Sequence, residues 1–284
     1  MVEAPSLGPE AKPAPLLRLQ GVSKKYNTRD GDTFYALKEV SLDVWACETV
    51  ALVGESGSGK STLAKLALNL AKPDTGWIEL AGHRTSEMNA RELKPLRSKI
   101  QPVFQDSSAT FNPRRTVRQI LAQAILSTSD ADPAETEKRS VGILEQMSLR
   151  PAQEILKRFP HELSGGQRQR LNIARAICVN PRLIVADEPL SGADVSIRGK
   201  VLNLLQEIQD REGIAYLFIT HDIAVAQAFA KRIAVMHEGM IVEYGYAKEV
   251  FENPKHSYTR MLIDSALLGR SRLEALRQTQ ERDP

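Results

Sequence analysis

The chain is short of cysteine and has no long apolar run. Its two cysteines, Cys47 and Cys178, lie far apart and match no ligand spacing, which excludes a cysteine-built metal centre and fits a reducing compartment. Cys178 falls on the apolar side of an expected helix and reads as a small buried hydrophobe. No stretch approaches the roughly 18 apolar residues needed to span a bilayer. The opening "MVEAPSLGPEAKPAPLL" has four prolines and no apolar core of a signal peptide. The expectation is a soluble chain on the inner side of the membrane, any membrane role coming from a partner. Charge of one sign is also missing: 38 basic against 35 acidic residues leave +3, so nothing calls for a nucleic-acid partner. There is no internal repeat.

What is present is enough for one large core with a satellite lobe, since 42% of the 284 residues are apolar. Residues 1–15 read as a disordered Pro/Ala-rich tail outside the fold. Short β-rich runs at Leu17 to Leu19, Val40 to Trp45 and Trp77 to Leu80 predict an antiparallel β-subdomain near the N-terminus. "ETVALVG" is a buried strand by length and pattern, followed by an apolar helix stripe at Leu63, Leu66, Ala67 and Leu70. "RLIVADEP" and "IAYLFITHD" are two more buried strands, joined by a helix carrying Val201, Leu204, Leu205 and Ile208 and closing at Gly213. Alternating strands and helices predict an α/β core with a mostly parallel sheet. Between about 97 and 164 the β-runs give way to helix stripes at Val117, Ile120, Leu121 and Ala124, then Val141 and Leu144, an α-helical subdomain inserted in the core. Residues 16–250 form the main domain and 251–284 a C-terminal extension, charged at its end.

The first chemistry is in "GESGSGKST", which fits G-x-x-x-x-G-K-[ST] over Gly54, Glu55, Ser56, Gly57, Ser58, Gly59, Lys60, Ser61 and Thr62. Glycines let successive N–H groups converge on phosphate oxygens, Lys60 reaches the β- and γ-phosphates, and Ser61 can ligate magnesium. In "LIVADEP", Asp187 is the metal-associated acid and Glu188 the general base, on the reasoning that neighbouring strand side chains point to opposite sides. Gln105, after the β-like end of "PVFQDSS", can touch metal or water. His221, after "AYLFIT", can donate to a γ-phosphate and hold the attacking water. Each also reads as a polar residue ending a strand. Tyr26 can lay its ring on adenine or serve as a core aromatic. Roughly a hundred residues after the first phosphate loop comes "LSGGQRQRLNIARA", in which Ser164, Gly165, Gly166 and Gln167 open a second anion-ready helix start.

Taken in order, the phosphate loop, Gln105, LSGGQ, "LIVADEP", Asp194 and His221 resemble the nucleotide-binding subunits of ATP-binding cassette (ABC) transporters, over about Leu16 to Gly245. The resemblance implies a P-loop NTPase (RecA-like) core and two ATP molecules with Mg2+ sandwiched between two cassettes. It implies that Tyr26 stacks on adenine and that Gln105 couples to the membrane subunit. It further implies that Ser164 and Gly166 contact the partner's γ-phosphate, that Glu188 is the catalytic base, Asp194 the D-loop acid and His221 the switch histidine. The family's Ser-Ala-Leu-Asp stands here as Ser191-Gly192-Ala193-Asp194, with less apolar surface for the dimer seam.

Two further stretches, "FQDSSATFNPRRTVRQIL" and "VFENPKHSYTRMLIDSAL", resemble the ATPases of dipeptide and oligopeptide importers, with Ser257 where proline is usual. No cysteine follows Cys178, so the iron-sulfur element of some relatives cannot be built here. The resemblance implies a second ABC ATPase subunit, identical or paralogous, membrane-spanning permease subunits, indirectly a solute-binding protein, and a peripheral place on the cytoplasmic side of the plasma membrane. The alternative is an ATPase in a non-transport assembly such as the carbon-phosphorus lyase complex.

Overall fold

The computed structural model describes residues 14–27, 31–104, 110–191 and 195–266. Gln105 and Asp194, together with the Gly192-Ala193 departure, lie outside these residues.

The N-terminal runs form the predicted antiparallel sheet, in the order β2-β1-β4-β5, from β1 (Leu17–Asn27), β2 (Thr33–Val44), β4 (Thr75–Leu80) and β5 (His83–Arg84). The second sheet has the order β10-β9-β3-β8-β7-β6. Its strands are β3 (Thr49–Val53), β6 (Ile100–Val103), β7 (Leu183–Asp187), β8 (Ala215–Thr220), β9 (Arg232–His237) and β10 (Met240–Tyr246). All neighbours in it are parallel except the β9/β10 hairpin.

Residue-by-residue alternation along the strands decides what covers each face. On one face Val50 and Leu52, Val185, Leu217 and Ile219 share a core with the antiparallel sheet and with Leu63 and Leu66 of the helix Lys60–Ala67. On the other, Ile184, Ala186, Tyr216 and Phe218 pack with the helices Val117–Leu126, Pro133–Gln146 and Gly165–Ile177. Ala51 and Val53 meet Ile223, Val250 and Tyr258. Burial on both faces is why β3, β7 and β8 read as near-continuous apolar runs.

Two expectations are corrected. The helical stretch begins later than residue 97, because Ile100–Val103 is a strand paired in parallel with β7. It holds the sheet edge, where Pro102 has no N–H to leave unpaired. Leu70 does not belong to the helix stripe: the helix stops at Ala67, Asn69 turns the backbone to φ +54, and Leu70 is 65% exposed. Cys178 is buried as expected, and burial pushes its thiol up to about 12.

Candidate functional site

Open parallel sheets bind ligands beyond the carboxyl ends of their strands. There, β3 runs into Gly54, β7 ends at Asp187, and β8 hands over to His221. Residues Gly54 to Gly59 wrap back to the helix that starts at Lys60, whose N-cap, Gly59 at φ +107, offers no side-chain cap. The N–H groups of that first turn are left for an anion. Neither end glycine of the loop has room for a side chain. A Cβ on Gly54 would lie 2.1 Å from the Met236 carbonyl oxygen, and one on Gly59 would lie 2.4 Å from that of Ala36. The loop thus rests on β9 and β2, and Gly239 N–H donates to the Ser58 carbonyl at 3.0 Å.

Lys60 is 7% exposed and donates to the carbonyls of Gly54 (2.9 Å) and Glu55 (2.6 Å) and to Ser58 Oγ (3.4 Å). Burial lowers its pKa, while Glu188, Asp187 and Glu55 act in the opposite direction. The Asp187 carboxyl is raised, chiefly by burial, against a hydrogen bond with Ser61 that favours the charged form. Ser61 and Asp187 are therefore adjacent hard-oxygen donors. Among the described residues there is no cluster of three or more His, Cys, Asp or Glu able to cage a metal. That donor set fits Mg2+, which keeps waters and substrate phosphate oxygens and takes only one or two protein ligands.

Glu188 lies one residue beyond β7, so strand alternation does not aim it. It is aimed by a left-handed backbone, φ +46, fixed by its N–H donating to Ile219 O at 2.9 Å and its carbonyl accepting from Ser191 N–H at 3.1 Å. A non-glycine residue at positive φ is strained, and such strain clusters at functional positions. Its Oε1 is 3.2 Å from His221 Nδ1, with His221 largely exposed and Glu188 mostly covered. Asp222, next in the chain, caps the helix Ile223–Phe229 by accepting from the N–H groups of Ala224 and Val225, which anchors the histidine's backbone. Thus Ser61 bonds Asp187, Lys60 feels the charges of Asp187 and Glu188, and Glu188 meets His221, so the five residues gather at the carboxyl ends of the strands.

Tyr26 does not sit in the core. It is half-buried on β1, beside Phe34 with ring centroids 6.1 Å apart, on the part of the antiparallel sheet whose Ala36 and Leu37 touch Gly59. Ser164 begins the helix Gly165–Ile177 with a reciprocal cap: its Oγ accepts from Gln167 N–H at 3.3 Å, and Gln167 Oε1 accepts from Ser164 N–H at 3.0 Å. Ser164 and Gly165 are exposed, and neither is hydrogen-bonded to the phosphate loop. Further along, Asn172 Nδ2 donates to Phe104 O at 3.1 Å and Arg175 donates to Thr110 O at 3.2 Å, so this helix grips both ends of the segment that contains Gln105. Sequence reasoning missed Asn172 and Arg175, and it missed Tyr258, which reaches the phosphate loop from the C-terminal extension; nothing in the spacing of these residues points to the contacts.

The family model described as ABC transporter matches residues 37–191. The chain belongs to the ABC transporter family. Within that family, the glutathione import ATP-binding protein GsiA of Salmonella paratyphi A (strain ATCC 9150 / SARB42) is 44% identical over 255 residues, covering 88% of this chain and 41% of that protein. GsiA of Escherichia coli O157:H7 is 43% identical over the same length and shares. The chain spans about two fifths of the length of these curated relatives. Among solved structures, the dimeric post-hydrolysis state of the ATP-binding cassette MJ0796 bound to ADP and Pi superposes with a TM-score of 0.75 at 31% identity, covering 81% of this chain and 98% of that one. The structure of cbiO1 from Clostridium perfringens, part of the ABC transporter complex cbiONQ, gives 0.75 at 27% identity, covering 94% and 100%. The α/β P-loop fold expected of an ABC cassette is the one found.

Proposed function

We propose that this chain is the Mg2+-dependent ATPase of an importer for small peptides or peptide-like solutes, acting with a second cassette, identical or paralogous, on separate membrane-spanning permease subunits supplied by a solute-binding protein. The observation that carries the reading is the pairing of Glu188 with His221 at 3.2 Å, with the Lys60 ammonium close enough to feel the charge of Glu188 and Asp187. A pure nucleotide sensor does not need that arrangement. The family supports ATP as the nucleotide, and relatives named for glutathione import support a peptide-like cargo. No helix among the described residues is long and apolar enough to cross a membrane. This agrees with a peripheral place on the cytoplasmic face of the plasma membrane. The carbon-phosphorus lyase alternative gains no support from those relatives.

In this mechanism Gly54 to Thr62 hold the phosphates of the chain's own ATP, and Tyr26 lies against the adenine. Ser61, Asp187 and Gln105 would hold Mg2+, which when bound would neutralise charge at the phosphates. Lys60 leaves its loop carbonyls for the γ-phosphate. Glu188 takes the proton of the attacking water, and His221 keeps water and γ-phosphate in line. Ser164, Gly165, Gly166 and Gln167 present an uncovered helix start to the ATP of the other cassette, and Asp194 is the D-loop acid that the family resemblance implies. Positioning and charge stabilisation supply the rate, without covalent chemistry. The test is the Glu188→Gln protein. With ATP it should run as a stable dimer in gel filtration while turnover falls by about 100-fold or more, and the parent should release phosphate only with Mg2+. A parent with no Mg2+-dependent turnover, together with a variant that stays monomeric in ATP, would end the reading.

A further inference from the structure

The phosphate loop has a second support, from a part of the chain to which the mechanism above gives no task. After the helix Ala247–Glu252 the chain turns through Asn253 and Pro254, and Glu243 of β10 accepts the backbone N–H groups of Lys255 (2.9 Å) and His256 (3.0 Å). His256 Nδ1 accepts from Tyr258 N–H at 3.2 Å. These bonds set the start of a helix over 257–266 and aim Tyr258 inward, where it is 6% exposed. Its ring stacks on His237 at the end of β9, centroids 3.9 Å apart, and its hydroxyl oxygen accepts the N–H of Glu55 at 3.1 Å.

The Glu55 N–H and the Gly54 carbonyl are the two ends of one planar peptide unit. Lys60 holds the carbonyl end, and Tyr258 holds the N–H end. When the ammonium turns to a phosphate it gives up its hold on the carbonyl, and the tyrosine hydroxyl is the side-chain contact that remains on that peptide. Gly54, at φ +153 and without a side chain, does little to resist its rotation.

We propose that Tyr258 is a positioning residue for the phosphate loop: it fixes the Gly54–Glu55 peptide so that Lys60 can exchange loop carbonyls for phosphate without the loop collapsing around the freed space. The proposal rests on the nucleotide-site reading above. Tyr258 touches no reacting atom, so its effect falls on nucleotide binding and spares the chemical step.

The experiment compares the purified full chain with Tyr258→Phe, which keeps the ring on His237 and removes only the hydroxyl. The dissociation constant for Mg2+-ATP, measured by displacement of a fluorescent analogue, should rise about three- to tenfold, the span of one neutral hydrogen bond. The KM for ATP should rise with it, while kcat holds close to the parent. A merely structural tyrosine would lower the melting temperature and leave the affinity for Mg2+-ATP unchanged, and that result overturns the proposal. A Lys60→Ala protein run alongside separates the two layers. If it binds ATP like the parent, the nucleotide-site reading fails and takes the proposal with it. If it loses binding while Tyr258→Phe keeps the parental affinity, only the tyrosine's role is overturned.

Discussion

The helix Lys60–Ala67 begins without a side-chain cap, whereas the helix Gly165–Ile177 begins with Ser164 and Gln167 capping each other. Both starts are rich in glycine and serine and both are ready for an anion, yet one is enclosed and the other bare. Around the first, Met236 and Ala36 carbonyls press on the glycines, and a buried lysine folds back on its own loop. Around the second there is solvent. An enclosed, uncapped start is completed by a ligand that enters the chain's own cleft. A bare start that has already satisfied its own cap gains a phosphate only if another molecule brings one to it.

The sharpest way to break that contrast is Ser164→Arg. A bulky cation on the bare start should leave ATP binding by the isolated chain within about twofold of the parent and cut ATPase activity of the paired cassettes by about 100-fold or more, the scale for losing an aligned transition-state contact. Equal losses in binding and turnover would mean that Ser164 serves its own chain's nucleotide.

Next in size is Gly54→Ala. Its Cβ would meet a backbone carbonyl at 2.1 Å on a backbone at φ +153, so unfolding free energy should fall by about 3 kcal/mol in urea denaturation. Gly165→Ala probes the other start with the same added methyl group. There a Cβ has nothing within 4 Å, and alanine's better helix propensity should raise stability by about 0.5–1 kcal/mol. Activity of the paired cassettes should fall all the same, if a partner's phosphate has to approach that backbone. Opposite signs in stability from the same substitution are the signature of the comparison.

The smallest effect is electrostatic and belongs to the enclosed site alone. Burial holds Asp187 above its ordinary value of 3.8. Between that value and the raised native one, the folded protein binds more protons than the unfolded chain, so stability falls as pH rises through the window. Asp187→Asn removes the titration. The fall should shrink, and the nucleotide-free variant should melt slightly higher than the parent at neutral pH, as calorimetry across pH would register. An unchanged pH profile would mean that burial does not raise the Asp187 carboxyl.

Local signals made both helix starts legible. The Gly54 to Thr62 pattern between an apolar strand and a helix stripe allows little else, and Ser164-Gly165-Gly166 reads as a helix start, although the reciprocal cap between Ser164 and Gln167 comes from the structure. The strands β3, β7 and β8 were equally plain, because burial on both faces leaves no polar alternation to confuse them. Ile100–Val103 was harder: four residues with a proline make a poor strand until β7 supplies the pairing. Glu188 is singled out on strand alternation, which does not aim it, since positive φ at a non-glycine position leaves no trace in composition. Tyr258 and Glu55 stand 203 positions apart. A contact of that span comes from topology, and no periodicity announces it.

The strand that carries the phosphate loop has a further consequence during synthesis. Both neighbours of β3, namely β8 and β9, come from beyond residue 214, and the hydroxyl on Glu55 comes from residue 258. A nascent chain therefore holds the whole GESGSGKST sequence long before it has anything to fold it against, and closing so long a loop is slow. The motif precedes the strands and the tyrosine that support it by most of the described residues, so a chain halted in between carries the motif without its support.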